Sequence, residues 1–178
     1  MINDDSLLQP DENLIFIAKN LVQNTNNLWT ATKNIINWVN NDIFYDYGPK
    51  NNITPLQELL LSHKGSCVEF VHLSLILLRI ANIPCRAVQG IKKVKGRWMT
   101  HSWLEIYDPI YLWVPIDPSA KPPIFGQFNH EFIQIFTSED CFAPYYVVQS
   151  KGKLLVKNNF EIELKIVIEN QIINLLKI

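Results

Sequence analysis

Cysteine is scarce in this sequence, and the little there is forms no pattern. The three residues Cys67, Cys85 and Cys141 make neither an even set nor a Cys-x-x-Cys pair, which excludes a disulfide-stapled scaffold and a zinc ribbon. Free thiols fit a reducing compartment. Long apolar runs are missing too: no stretch approaches the ~20 residues that a membrane helix needs, so no membrane partner is expected. Neither sign of charge dominates, with 16 Lys and Arg against 17 Asp and Glu and a formal net charge of −1. Nucleic acid, which selects a strongly basic face, is therefore not an expected partner. The one basic cluster, Ile91 to Arg97, reads as a solvated hairpin. His63, His72 and His130 stand at no spacing that assembles a metal site with Cys or acidic neighbours, so neither metal nor other cofactor is expected. The first residues, Met1-Ile-Asn-Asp-Asp-Ser, lack the basic and apolar regions of a secretory signal. The expectation is a cytoplasmic protein, an export signal ahead of this sequence being the alternative. Internal repeats and low-complexity segments are absent.

What is present is the composition of a globular protein, 48% hydrophobic and 19% charged over 178 residues, and residues 1–178 are taken as one domain. Pro10-Asp-Glu opens a helix that carries Leu14, Ala18, Leu21 and Val22 to about Gln23. A second helix runs from Trp29 to Asn40, burying Ile35, Ile36 and Val39. An irregular segment with Tyr45 and Tyr47 follows. Thr54 is placed as an N-cap with Pro55 at the first helical position of a third helix, stopped at Gly65. From Cys67 to Ala81 apolar residues surround the axis, the mark of a buried helix, and Asn82 before Ile83-Pro84 ends it in a left-handed turn. The period then falls to two: Arg86 to Val94, Trp98 to Tyr107 and Tyr111 to Asp117 read as an antiparallel meander. A less legible stretch precedes strand-like Tyr145 to Gln149, Leu154 to Lys157 and Phe160 to Ile168. Helices first and strands after make the class α+β.

The chemistry concentrates at Lys64-Gly-Ser-Cys-Val-Glu-Phe70. Ser66 and Glu69 form the Ser-x-x-Glu capping box, which makes Cys67 the first helical residue. There the free backbone N–H groups and the helix dipole favour a thiolate. A cysteine nucleophile needs an imidazole to hold its proton and an acceptor to orient that imidazole. His101, in Thr100-His-Ser-Trp-Leu-Glu, and Asp117, in Trp113-Val-Pro-Ile-Asp-Pro, face one another if their strands pair in register. Tyr45 and Trp38 are upstream candidates for a second oxyanion donor beside the Cys67 N–H, ordinary aromatic packing being the more expected role of both. Glu105 is placed to pair with Arg79 or Arg86, Trp103 to wall the cleft or fill the core, and Pro118 to Asn129 to border the cleft. Cys85 and Cys141 are read as structural.

Five blocks in order, Gly65-Ser-Cys67, Leu78-Arg79, Ile83-Pro84-Cys85-Arg86, His101-Ser-Trp103-Leu-Glu105 and Trp113-Val-Pro-Ile-Asp117-Pro118, make the chain resemble the transglutaminase-like superfamily. The resemblance covers roughly residues 32 to 118. It implies a papain-like core in which a buried cysteine-bearing helix packs on an antiparallel sheet, with Cys67 as nucleophile, His101 as general base then acid, and Asp117 as its orienting partner. It also implies a cysteine-dependent acyl hydrolase acting on peptide, isopeptide or side-chain amide bonds through a thioester, its partner a peptide or protein substrate or a small amide. Acyl transfer to an amine is the close alternative, and a catalytically silent binding module the more distant one. Asn82 where the family often has Gly, and Cys85 for a smaller residue, are departures that leave the three site residues untouched.

Overall fold

The computed structural model describes residues 12–46 and 54–138 in full and, beyond them, the backbone of four strands between 146 and 176. The first helix, α1 (Glu12–Val22), buries Leu14 and Ala18. Helix α2 (Leu28–Asp42) is capped by Asn27, whose side chain accepts from the Thr30 N–H, and it buries Ile35, Ile36, Val39 and Asn40. The short α3 (Leu56–Ser62) corrects two expectations: it starts one residue after Pro55 with no side-chain cap, and it ends at His63, which takes the left-handed conformation expected of a glycine. Thr54 is engaged elsewhere, its N–H donating to Glu69 Oε1 at 3.0 Å. Gly65 lies beyond the helix in a two-residue parallel pair, β1 (Phe44–Tyr45) with β2 (Lys64–Gly65), which period-based reading took as irregular.

Helix α4 (Cys67–Ile80) is the centre of the fold. Eleven of its residues are buried, Phe70, Leu73, Leu77 and Leu78 among them, so the all-round apolar pattern is satisfied by neighbours on several sides. It packs against α1, α2 and the strands β3 (Cys85–Val94) and β4 (Arg97–Asp108). Asn82 takes the left-handed conformation after it, φ 55°, as its short polar side chain allows.

The meander is present: β3, β4 and β5 (Leu112–Asp117) pair antiparallel in sequence order. Two further strands extend it on either side, β6 (Ile124–Phe125) on β5 and β7 (Phe132–Ser138) on β3, giving the sheet order β6-β5-β4-β3-β7. Neither was expected, because two residues show no period and β7 carries half-buried apolar residues on both faces. Gly90 marks a close approach. A Cβ there would clash with the Ile133 carbonyl oxygen and stand 2.5 Å from Trp103 Cη2, so the indole of Trp103 lies directly over the bare backbone of β3.

By packing, the chain divides into two compact units, 1–141 and 142–178. The second unit contains two antiparallel pairs, β8 (Tyr146–Ser150) with β9 (Lys153–Lys157) and β10 (Leu164–Ile168) with β11 (Gln171–Leu176). The last of these was not anticipated, and the starts proposed at Tyr145 and Phe160 lie outside the described residues, as does Cys141. No helix among the described residues is long and apolar enough to cross a membrane.

Candidate active site

The geometry begins with a glycine. A Cβ on Gly65 would stand 2.6 Å from Glu69 Cβ, so only glycine lets the chain enter α4 tightly enough for Glu69 to fold back. Glu69 then closes the capping box: its Oε2 accepts from the Ser66 N–H at 2.7 Å and from Ser66 Oγ at 2.6 Å. The cap sets Cys67 at the first helical position, nine-tenths buried. The β1–β2 pair places Tyr45 beside it. The Phe44 N–H donates to the His63 carbonyl at 2.7 Å and the Asp46 N–H to the Gly65 carbonyl at 2.8 Å, which clamps Tyr45 between them, its ring 6.0 Å from that of Phe70.

On the sheet, register aligns the partners. His101 pairs with Gly90 and Met99 with Lys92, so by strand alternation Gly90, Lys92, Met99 and His101 share one side of the β3–β4 pair. Asp117 closes β5 and reaches His101, whose Nε2 lies 2.8 Å from Asp117 Oδ2. The Asp117 side chain is fully buried. Its Oδ1 accepts from the Ser119 N–H at 3.1 Å and the Ser119 hydroxyl at 2.8 Å, and its Oδ2 accepts a second donor, Lys92 Nζ, at 2.9 Å. Lys92 is therefore not part of a solvated hairpin, as the basic cluster suggested. Its ammonium also lies 4.6 Å from the centre of the Phe132 ring.

The imidazole is bonded to Asp117 and stands beside the Cys67 thiol, near enough for ring and sulfur each to shift the other's ionisation. Burial opposes ionisation of Cys67 most strongly, yet the thiol is held below its ordinary range by His101, through a hydrogen bond and charge, and by the Ser102 backbone N–H and the Tyr45 hydroxyl. For His101, burial disfavours the cation, but the hydrogen bonds and charges of Asp117 and Cys67 raise it to about 9. Burial likewise works against the Asp117 carboxylate, and His101 and Lys92 together drive its carboxyl below the usual range. The arrangement favours a thiolate–imidazolium pair over thiol and neutral ring.

The three residues singled out from sequence are thus brought together. Tyr45 lies near enough to the sulfur to favour its thiolate, whereas Trp38 is half-buried in α2. Glu105 pairs with Arg86, Nε to Oε2 at 2.7 Å. Of the two roles expected of it, Trp103 takes the core one: 2% exposed, it packs on His101, Phe128 and Phe132. Sequence reasoning missed Lys92, Ser102 and Ser119. Ser119 carried a signal, since Asp-x-Ser is a turn in which the carboxylate accepts from the backbone two residues on. Lys92 carried one only through register, two residues from the partner of His101. A separate open cavity of about 550 Å³, lined by Arg79, Cys85, Arg86 and Trp113 among others, lies toward the C-terminal end of α4 and not at Cys67. No cluster of three or more metal-ligating side chains occurs among the described residues.

The sequence profile of the transglutaminase-like superfamily matches residues 15–118, more than half of the chain. The chain belongs to that superfamily. Solved structures share the fold of this transglutaminase-like protein. A protein from Cytophaga hutchinsonii, provisionally described as a cysteine protease, superposes with a TM-score of 0.60 at 22% identity over 78% of this chain and 48% of its own. Legionella pneumophila LapG, EGTA-treated, gives 0.55 at 13% identity over 71% and 68%. The periplasmic domain of TgpA from Pseudomonas aeruginosa bound to ethylmercury gives 0.50 at 22% identity over 63% and 46%. The chain thus spans about half the length of the Cytophaga protein. No curated protein matches it in sequence.

Proposed function

We propose that this transglutaminase-like protein is a cysteine-dependent acyl hydrolase that opens peptide, isopeptide or side-chain amide bonds through a thioester on Cys67. The observation that carries the reading is that Cys67, His101 and a fully buried Asp117 come together, the imidazole bonded to the carboxylate at 2.8 Å and holding the neighbouring thiol below its ordinary range. In the first half-reaction the Cys67 thiolate attacks the amide carbonyl carbon, and the C–O π electrons move to oxygen. The Cys67 backbone N–H at the helix start and the Tyr45 hydroxyl, which favours the thiolate in the resting site, stabilise that oxyanion. Collapse breaks the C–N bond as His101 hands its proton to the leaving amine. In the second half, neutral His101 takes a proton from water, the hydroxide attacks the thioester, and the acid leaves as the proton returns to the Cys67–His101 pair. Asp117 holds the ring in place throughout and balances its charge.

The half-buried rings of Phe128 and Phe132, packed on Trp103 beside His101, offer an apolar surface that supports an extended substrate such as a peptide. A reducing compartment such as the cytoplasm, in which Cys67 stays a free thiol, suits the chemistry. The test is incubation of the full chain with a glutamine-containing peptide library and a labelled primary amine, with products read by mass spectrometry. Hydrolysed acid is expected to dominate and to vanish in Cys67→Ala. Dominant amine incorporation would make the enzyme a transferase, and turnover in Cys67→Ala would remove the thiol from the mechanism.

A further inference from the structure

Asp117 Oδ2 serves two cationic donors at once, His101 Nε2 at 2.8 Å and Lys92 Nζ at 2.9 Å. Orienting an imidazole needs one carboxylate oxygen and no second cation. A lysine at that oxygen is a specific feature of this site, and its position is not accidental: the β3–β4 register carries Lys92 to the side of His101. Its side chain is only 20% exposed and its head lies over the Phe132 ring, so the ammonium is held in place by packing as well as by charge. With Ser119 occupying Oδ1, His101 and Lys92 are left to divide the other oxygen.

We propose that Lys92 is a positioning residue that shares the charge of Asp117 with His101 and so sets how readily the imidazole releases its proton. The inference rests on the acyl-hydrolase reading for its consequence in turnover. The ionisable groups against this pair, from each element packed there, are Cys67 of α4, Tyr45 of β1 through the sulfur, Lys92 of β3 and Asp117 of β5. In the resting enzyme the Cys67 thiolate helps hold the imidazolium. Once the thioester forms, the sulfur carries no charge, and the proton affinity of the ring is set by Asp117 against Lys92. A buried carboxylate given wholly to His101 would keep the ring protonated, and a protonated ring takes no proton from water. The neighbouring ammonium repels the imidazolium and draws part of the carboxylate's charge, so the ring is neutral when deacylation needs a base.

The experiment compares the full-length wild type with Lys92→Met, which keeps the stem and removes the charge, and Lys92→Arg, which retains the charge. Iodoacetamide alkylation of Cys67 across pH 5 to 11 reads His101 without any acyl chemistry. Its upper inflection, where the imidazolium is lost, is expected to move up by about one pH unit or more in Lys92→Met and to return toward the wild-type position in Lys92→Arg. In parallel, p-nitrophenyl acetate acetylates Cys67 with loss of p-nitrophenolate, and intact mass follows hydrolysis of the acetyl-enzyme. That step is expected to slow about tenfold near neutral pH in Lys92→Met, with acetylation itself much less affected. Superimposable alkylation profiles for wild type and Lys92→Met, or equal displacement in Met and Arg variants, would overturn the proposal while leaving the acyl-hydrolase reading intact. An alkylation shift in a protein that never acetylates at Cys67 would uphold the Lys92 coupling and sink the acyl chemistry.

Discussion

Asn40, near the end of α2, donates its side-chain amide to the carbonyl of Pro118, the residue after Asp117, at 2.7 Å, across 78 positions of sequence. A second bond from the same nitrogen reaches the Ala120 carbonyl at 2.8 Å, and Lys121 Nζ donates back to the Asn40 carbonyl. The helical layer thereby pins the loop that leaves Asp117. Asn40→Ala would leave two largely buried carbonyls without this donor, and a loss of about 2 to 3 kcal/mol is expected in urea unfolding. Because the loop carries Ser119, Cys67 alkylation should slow as well. Unchanged stability and alkylation would show the clamp to be idle.

Thiol reactivity should separate Cys67 from Cys85. Cys85 sits half-buried with its thiol pushed up to about 11 by burial, against a smaller opposing effect of Arg79, whereas Cys67 is held below the ordinary range. At neutral pH iodoacetamide should therefore label Cys67 first, by at least about tenfold. Peptide mass spectrometry of partly labelled protein gives the order, and His101→Ala should abolish the preference.

His72 sets an acid limit on stability. It is buried in α4, and burial, offset in part by Glu69 and reinforced by Arg79, lowers it from 6.5 to about 4. The unfolded chain binds this proton more readily than the folded one, so the contribution is intact above 6.5 and is lost as the pH falls through about 4. Denaturant titrations between these values should show stability declining with acidity, and a shallower decline in His72→Phe. Parallel pH profiles for the two proteins would contradict this.

The pH dependence of His101 has the opposite sign. Its folded value is raised from 6.5 to about 9, against burial, by Asp117 and Cys67, so its stabilising contribution is full below 6.5 and fades as the pH rises through about 9. The stability difference between wild type and His101→Gln is expected to shrink across that interval in urea unfolding series, and a constant difference would exclude the charged ring as its source.

Gly90→Ala tests the close packing behind His101. The new methyl would fall within 2.5 Å of Trp103 and closer still to the Ile133 carbonyl oxygen. Backbone or indole must move, and a loss of about 2 to 3 kcal/mol is expected in urea unfolding. A neutral substitution would mean that β7 and Trp103 are free to yield.

Much of this was legible in the sequence because it is written in local chemistry. The Ser66–Glu69 capping box fixes where α4 begins, and strand alternation from Arg86 to Asp117 yields the meander and faces His101 toward Asp117. Side chains recruited by tertiary register were not legible. Thr54 looked like a cap, but α3 starts only after Pro55, and Thr54 is drawn by its N–H to the buried carboxylate of Glu69, fifteen residues on. Lys92 looked solvated because a lysine two residues from a basic turn normally is, and only the pairing of β3 with β4, beside β5, reveals the acid it meets. His63 took a left-handed turn without glycine, held by β1 and by Asp42, 3.0 Å from its Nδ1.

The partners of Asp117 lie close to it along the chain: Ser119 at 2 positions, His101 at 16 and Lys92 at 25. Closing such short loops costs little chain entropy, so this charged half of the site can assemble as soon as β3, β4 and β5 zip together. The sulfur comes from a different part of the chain and reaches the imidazole only when α4 docks on the sheet. Arming the thiol is thus a property of the docked fold: with α4 away from the sheet, Cys67 would have neither the imidazole nor the carboxylate behind it.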